Sequence, residues 1–213
     1  INTGKRSRNH IQIIALGSVA WLFINQIYVS ELDFSTLSGA GDIIAIGAWS
    51  TNHIHTGAFT GLKGFTVRSL SLEYGPHNGS INAKPGGVIE GHRSNAWVSD
   101  VIVEVKFHNP YATTEGGWSP GIILRNSKYD ALHVIGITSG GNWYHYVGTG
   151  TWESRELMKF IYSEHVDTST SSLNSLRIIA LGKLGSLFIN GTYVANLDLS
   201  RWTQSGFVAA INN

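Results

Sequence analysis

A segment of this chain occurs twice. HIQIIALGSVAWLFINQIYVSELDFS, beginning at His10, returns as SLRIIALGKLGSLFINGTYVANLDLS from Ser175, at a constant offset of 165 residues. Aligned without gaps from Arg8 on Leu173 to Ala48 on Asn213, 18 of 41 positions are identical, including the blocks 13–17 and 22–25. Two unrelated strands do not hold one register for so long. The offset is far beyond the roughly 20 to 50 residues of a solenoid unit and suits a whole domain. A chain of 213 residues therefore contains about 1.3 units.

What kind of domain repeats is set by periodicity. Apolar residues alternate with polar ones in short segments bounded by Gly, Asn and Ser, the pattern of half-buried strands. It predicts strands at 10–16, 20–25, 27–33, 42–48, 63–72, 99–107, 120–125, 131–138, 142–147, 157–162, 175–181, 185–190, 192–198 and 206–211. Helical periodicity is nearly absent, with a doubtful stretch only from Glu153 to Phe160, so helix should hold less than about a tenth of the residues. Between two of these strands, Asn190-Gly191 reads as a two-residue hairpin turn, since a type I′ turn needs positive φ at both central residues. The first copy has Asn25-Gln26 there, which predicts a costlier turn or a different type. Ser139-Gly140-Gly141-Asn142 marks another hairpin. The fold class that follows is an all-β, antiparallel jelly-roll sandwich.

Turn formers place the boundary between units. The strand-like run 64–70 meets Glu73-Tyr74-Gly75-Pro76-His77-Asn78-Gly79-Ser80, which puts the boundary near Leu72. Residues 1–72 then read as the C-terminal part of one sandwich repeat, and 73–213 as the next repeat lacking its last strands. The alternative is a permuted closure, in which 8–172 contain every segment once and form one sandwich, with 173–213 as surplus strands.

Composition removes several functions. The formal charge is +1, from 15 Lys+Arg and 14 Asp+Glu, which argues against a dedicated nucleic-acid binder. Charged residues are 14% against roughly 25% in ordinary soluble domains. No apolar run approaches the roughly 18 residues of a membrane-spanning helix. With no cysteine, disulfides, thiolate zinc sites and Cys nucleophiles all drop out.

Several stretches resemble one family. LFINGTYVANLDLS, SDVIVEVKFHNPY (99–111), GWSPGIILRNS (117–127), SGGNWYHY (139–146) and GFTVRSL (64–70) are similar to concanavalin A-like, laminin-G-like jelly-roll modules. These recur in extracellular regions of bacterial surface proteins, notably of the Chloroflexi type. The resemblance covers most of one 165-residue unit. It implies two curved antiparallel sheets, an extracellular or cell-surface location and a concave face of the kind that binds sugars in some members. Fold alone does not assign function, since this one hosts lectins, adhesive and structural modules and glucanases.

Candidate sites follow from residue chemistry. A retaining glucanase needs two carboxylates about 5 to 5.5 Å apart. Glu153 and Glu156, three apart, face opposite sides of a strand, and Glu104 has no acidic residue two positions away; hydrolysis is not expected. His53 and His55 form half of a metal site without an identifiable third ligand. Asp33 and Asp198, at equivalent places in the repeat, read as turn caps and are weak calcium candidates, because calcium needs several oxygen ligands; structural calcium stays the one cofactor left open. Trp118, Trp143, Tyr144, Tyr146 and Trp152 cluster in sequence and are the candidates for stacking on sugar rings, against the alternative that they fill the core. Along 143–146 the faces alternate, so one set must point inward. Asn78 and Asn190 stand in N-glycosylation sequons.

The leading expectation is a non-enzymatic extracellular structural or adhesive repeat protein, able to assemble with itself into a surface filament by strand exchange, since unfinished sandwiches leave unpaired edges. Its assembly residues would be Leu176, Ile178, Leu187, Ile189 and Val194, the apolar face of the second copy. A lectin-like module that binds polysaccharide is the alternative, and a glucanase ranks third.

Overall fold

The structure, a computed structural model, describes residues 1, 8–36, 74–81, 90–127, 131–149 and 156–212. The expected strands 42–48 and 63–72 and the boundary near Leu72 lie outside these. Among the described residues every regular element is a strand and every pairing is antiparallel.

Two sheets make the sandwich. One has four strands in the order β12 (Thr192–Asp198), β11 (Leu184–Ile189), β10 (Leu173–Leu181), β5 (Val101–His108). The other has six, in the order β4 (Glu90–Val98), β13 (Gly206–Asn212), β6 (Pro120–Asn126), β7 (Ala131–Ile137), β8 (Asn142–Thr149), β9 (Glu156–Tyr162). Sequence neighbours hairpin together from β6 to β9. The ends of the chain do not: β5 pairs with β10 and β13 is inserted between β4 and β6. Residues 173–212 therefore supply strands to both sheets. They are integral to the sandwich, and the permuted closure with 173–213 as surplus is corrected on this point.

Between the sheets lies the main core. Ile122, Leu124, Ile135, Ile137, Trp118 and Trp143 come from the six-stranded side and its loops; Leu176, Ile178, Leu187, Ile189 and Leu197 come from the other. Burying one such aliphatic side chain contributes about 1.5–3 kcal/mol. A second cluster of Ile123, Leu132, Val134, Tyr144, Ala209 and Ile211 occupies the opposite face of the six-stranded sheet, which is why β6 reads as a continuous apolar run instead of an alternating one. Tyr144 lies so close to Gly136 that a Cβ there would overlap its ring and hydroxyl.

The remaining strands, β1 (Ile11–Leu16), β2 (Val19–Ile24) and β3 (Ile27–Asp33), form a separate three-stranded sheet. It is the first copy of the repeated segment, and its pairing reproduces the second copy position for position. Ile11 pairs with Ile24 and Ile13 with Leu22, as Leu176 pairs with Ile189 and Ile178 with Leu187. The bulge after Leu22 recurs after Leu187. Even the turns agree: Asn25 and Gln26 have φ of 53° and 68°, Asn190 and Gly191 50° and 82°. The first copy thus keeps the turn type and carries the left-handed strain on Gln26.

One face of β1–β3 packs on the outside of the four-stranded sheet. Ile14, Trp21 and Phe23 form a third cluster with Ile179 and Phe188, flanked by Tyr28, Tyr193 and Ile102. Tyr28 stacks on Tyr193, its own counterpart in the repeat, with centroids 4.4 Å apart. Arg177 lies 5.1 Å above the Trp21 ring while binding Glu104. The two copies therefore meet back to back through equivalent residues.

Candidate functional site

The aromatic residues nominated for sugar stacking are mostly interior. Trp118 and Trp143 are 3% and 2% exposed in the main core, Tyr144 is 3% exposed in the second cluster, and Tyr146 is half-buried beside it. The face alternation along β8 is as expected, but both faces are buried, so Trp118, Trp143 and Tyr144 are corrected from binding residues to packing residues. Trp152 lies outside the described residues. Among the described residues, the rings that reach solvent include Trp97, Phe160 and Tyr162, on the edge strands β4 and β9 of the six-stranded sheet, and Tyr111 and Trp202 outside the strands. Trp97 is braced edge-on by Phe207, centroids 4.6 Å apart.

Among the described residues, the nominated carboxylates Glu104, Glu156, Asp33 and Asp198 each have partners of their own. Glu104 accepts two bonds from Arg177, at 2.9 and 2.6 Å, and one from the Ser175 hydroxyl at 2.9 Å. Burial alone would raise its carboxyl, and these donors outweigh that and hold it below the ordinary range. Glu156 pairs with Arg201; Glu153 lies outside the described residues. Asp33 and Asp198 accept the backbone N–H of Ser35 and Ser200, two residues on, at 2.8 and 2.9 Å. These are the Asx turns read from the sequence, and the serine bonds lower both carboxyls. Among the described residues no three His, Asp or Glu come together as a metal-ligand set; His53 and His55 lie outside them.

Sequence reasoning did not anticipate the buried polar groups at one end of the sandwich. His133 and His145 are 0% and 1% exposed and hydrogen-bonded to each other at 3.0 Å. The second nitrogen of His133 sits 3.2 Å from the Trp202 carbonyl. A carbonyl only accepts, so His133 carries its proton on Nε2 and receives the Nε2–H of His145 on Nδ1. Burial pushes His133 down to about 4 and His145 to about 3. Close by, Arg125, 2% exposed and at positive φ, donates to the carbonyls of Ser99, Leu199, Trp202 and Gly182. The only advance signal was their place in apolar strands, which made them look like ordinary strand residues.

Sequon Asn78 is exposed. Asn190 is a structural group: its Oδ1 accepts the Ser175 N–H, and its Nδ2 donates to His165 O and Asn174 Oδ1. A glycan there would replace one of the two Nδ2 hydrogens and sacrifice at least one of these donations. Buried Asn174 extends the network to Asn109 and Asp167.

The nominated assembly residues Leu176, Ile178, Leu187 and Ile189 are all 0% exposed, and Val194 packs against the same core. Their own chain covers them, which corrects that assignment. In the first copy, by contrast, Ile11 is 63% exposed, Ile13 53%, Ile27 53% and Val29 49%, while Ala20 is fully buried.

No protein-family model matches the chain, and no curated protein matches it. Solved structures do. A carbohydrate-binding module, CBM66, from Bacillus subtilis aligns over 59% of this chain and 73% of its own, with 12% identity and a TM-score of 0.47. Sheep galectin-11 aligns over 61% and 92%, with 9% identity and a TM-score of 0.43. The kappa-carrageenase from Pseudoalteromonas carrageenovora aligns over 58% and 54%, with 9% identity and a TM-score of 0.41. This chain thus spans about half the length of that enzyme. The class of protein defined here is the antiparallel jelly-roll β-sandwich, and it rests on the sheet topology above.

Proposed function

We propose that the chain is a non-enzymatic, extracellular structural or adhesive sandwich module that works by contact with other proteins of its own kind. One observation carries this: a second copy of a core hairpin, complete in register and turn, packs by one face on the sandwich and keeps Ile11, Ile13, Ile27 and Val29 about half exposed. That element brings no chemistry, only surface. The extracellular setting is supported by the family resemblance. The absence of hydrolysis is supported by Glu104 and Glu156, each tied to an arginine.

Incubation of the whole chain with β-glucans and with carrageenan should release no reducing sugar. Turnover that Glu104→Gln abolishes would replace this reading with a glycosidase. Saccharide binding is the second reading, and the exposed, braced Trp97 favours it over the buried ring set. A glycan array that lights up and goes dark with Trp97→Ala would establish it.

A further inference from the structure

An asparagine followed by glycine can react with its own backbone, because a residue without Cβ lets its nitrogen reach the neighbouring side-chain Cγ unhindered. The chain has two such pairs, Asn78-Gly79 and Asn190-Gly191. The fold treats them oppositely. Asn190 Oδ1 accepts the Ser175 N–H at 2.8 Å, and its Nδ2 donates to the His165 carbonyl at 2.8 Å and to Asn174 Oδ1 at 3.0 Å. Reaction at its Cγ requires the amide to leave these partners. Asn78 is exposed, and its side chain makes no hydrogen bond among the described residues. A Cβ built on Gly79 would meet nothing within 4 Å, so the peptide that must fold back on the side chain moves in open space.

We propose that Asn78 is a self-modification site, where the folded chain converts an asparagine amide into a carboxylate without an enzyme. The Gly79 backbone nitrogen gives up its proton to water and bonds to Asn78 Cγ; the Cγ–Nδ2 bond breaks, ammonia leaves, and a five-membered succinimide closes. Water then opens the ring at either carbonyl, giving aspartate or its backbone-lengthened isomer, isoaspartate. The sum is amide plus water to carboxylic acid plus ammonia, with no change of oxidation state. The position gives the change a consequence. Tyr74 ties this loop to β4, with its hydroxyl 2.6 Å from His92 Nε2 and its ring stacked on His77, centroids 4.4 Å apart. The new carboxylate thus follows His77 directly, on a loop fastened to an edge strand of the six-stranded sheet. One event takes the formal charge from +1 to 0, since 15 Lys+Arg then face 14 + 1 carboxylates. It also destroys the Asn78 sequon, which needs the asparagine amide.

Incubation of the whole chain in mildly alkaline buffer, followed over weeks by peptide mass spectrometry, tests the proposal. The Asn78 peptide should gain about 1 Da as the amide becomes an acid, and isoaspartyl methyltransferase should label it. The Asn190 peptide should convert at least about tenfold more slowly, a factor that one retained hydrogen bond of full strength supplies. In urea, where the fold no longer distinguishes the two pairs, both should convert at similar rates. Gly79→Ala, whose methyl fits the open space there, should slow conversion of Asn78 in the folded chain at least about tenfold by crowding the attacking nitrogen. Conversion of Asn190 as fast as Asn78 in the folded chain, an Asn78 that converts in urea but not when folded, or a rate untouched by Gly79→Ala would each overturn it.

Discussion

The hairpins β1–β3 and β10–β12 share register, bulge, turn conformation and most of their apolar residues, yet one is a core element and the other an appendage. What separates them is supply of partners. β10 receives β5 along its edge and the six-stranded sheet across its face, while β1–β3 receives the outside of that same four-stranded sheet. Local sequence therefore specified the hairpin twice, and its surroundings assigned it two energetic roles.

The comparison breaks most visibly in acid. Only the sandwich holds the buried His133–His145 pair. Their folded pKa values, about 4 and about 3, lie below the ordinary 6.5, so the unfolded chain binds more protons as the pH falls. Stability is complete above about 6.5 and is lost through the window down to about 4, at about 2–3 kcal/mol per pH unit while both groups titrate. Urea unfolding followed between pH 7 and pH 4 should show this slope, and His145→Phe with His133→Leu should flatten it. A flat profile in the unmodified chain would mean the pair is not buried as described.

Matched truncations come next. Leu187→Ala should cost about 3–5 kcal/mol in global unfolding, because the site cannot collapse around the void. At dilutions that keep the chain monomeric, Leu22→Ala at the equivalent half-buried position should cost less than about 1 kcal/mol, because little surface is withdrawn from water there. Equal costs would show that the two hairpins are covered alike.

Polar caps sharpen the contrast on a smaller scale. Asn174 is buried and makes four hydrogen bonds, with Asn109, Asp167 and Asn190, so Asn174→Ala should cost about 2 kcal/mol by orphaning its partners. Its counterpart Asn9 accepts from Asn25 at the exposed end of the first hairpin, and Asn9→Ala should cost under about 0.5 kcal/mol in thermal denaturation. The turn is the place where a gain is expected: Gln26→Gly should relieve left-handed strain and raise stability by up to about 1 kcal/mol, measured as slower β1–β3 amide exchange.

Much of the architecture was legible beforehand because period-two alternation and turn residues are local signals. Twelve expected strands overlap observed ones. The strand that escaped notice, β4, has the sequence EGHRSNAWV, with no apolar alternation. Its backbone pairing to β13 holds it, and Ser94 is buried there by donating to the Val208 carbonyl. For the site, the Asx role of Asp33 and Asp198 was readable, since an aspartate and the amide two residues on are set by local geometry. Whether a tryptophan lines a groove or fills a core was not, because stacking platforms and core filler use the same residues at the same spacing. Trp118 and Trp143 went inward, while Trp97, the most exposed tryptophan among the described residues, sat in the unforeseen strand.

By itself, then, the sequence determined an all-β chain, its turns and the repetition of one hairpin in a fixed register, all consequences of interactions between residues near one another along the backbone. Only the tertiary structure decided which copy closes the sandwich, where Arg125 and the histidine pair are enclosed, and which apolar face is left in water. Those outcomes depend on which distant strand, β5 or β13, arrives beside each edge, and short-range periodicity carries no information about that pairing.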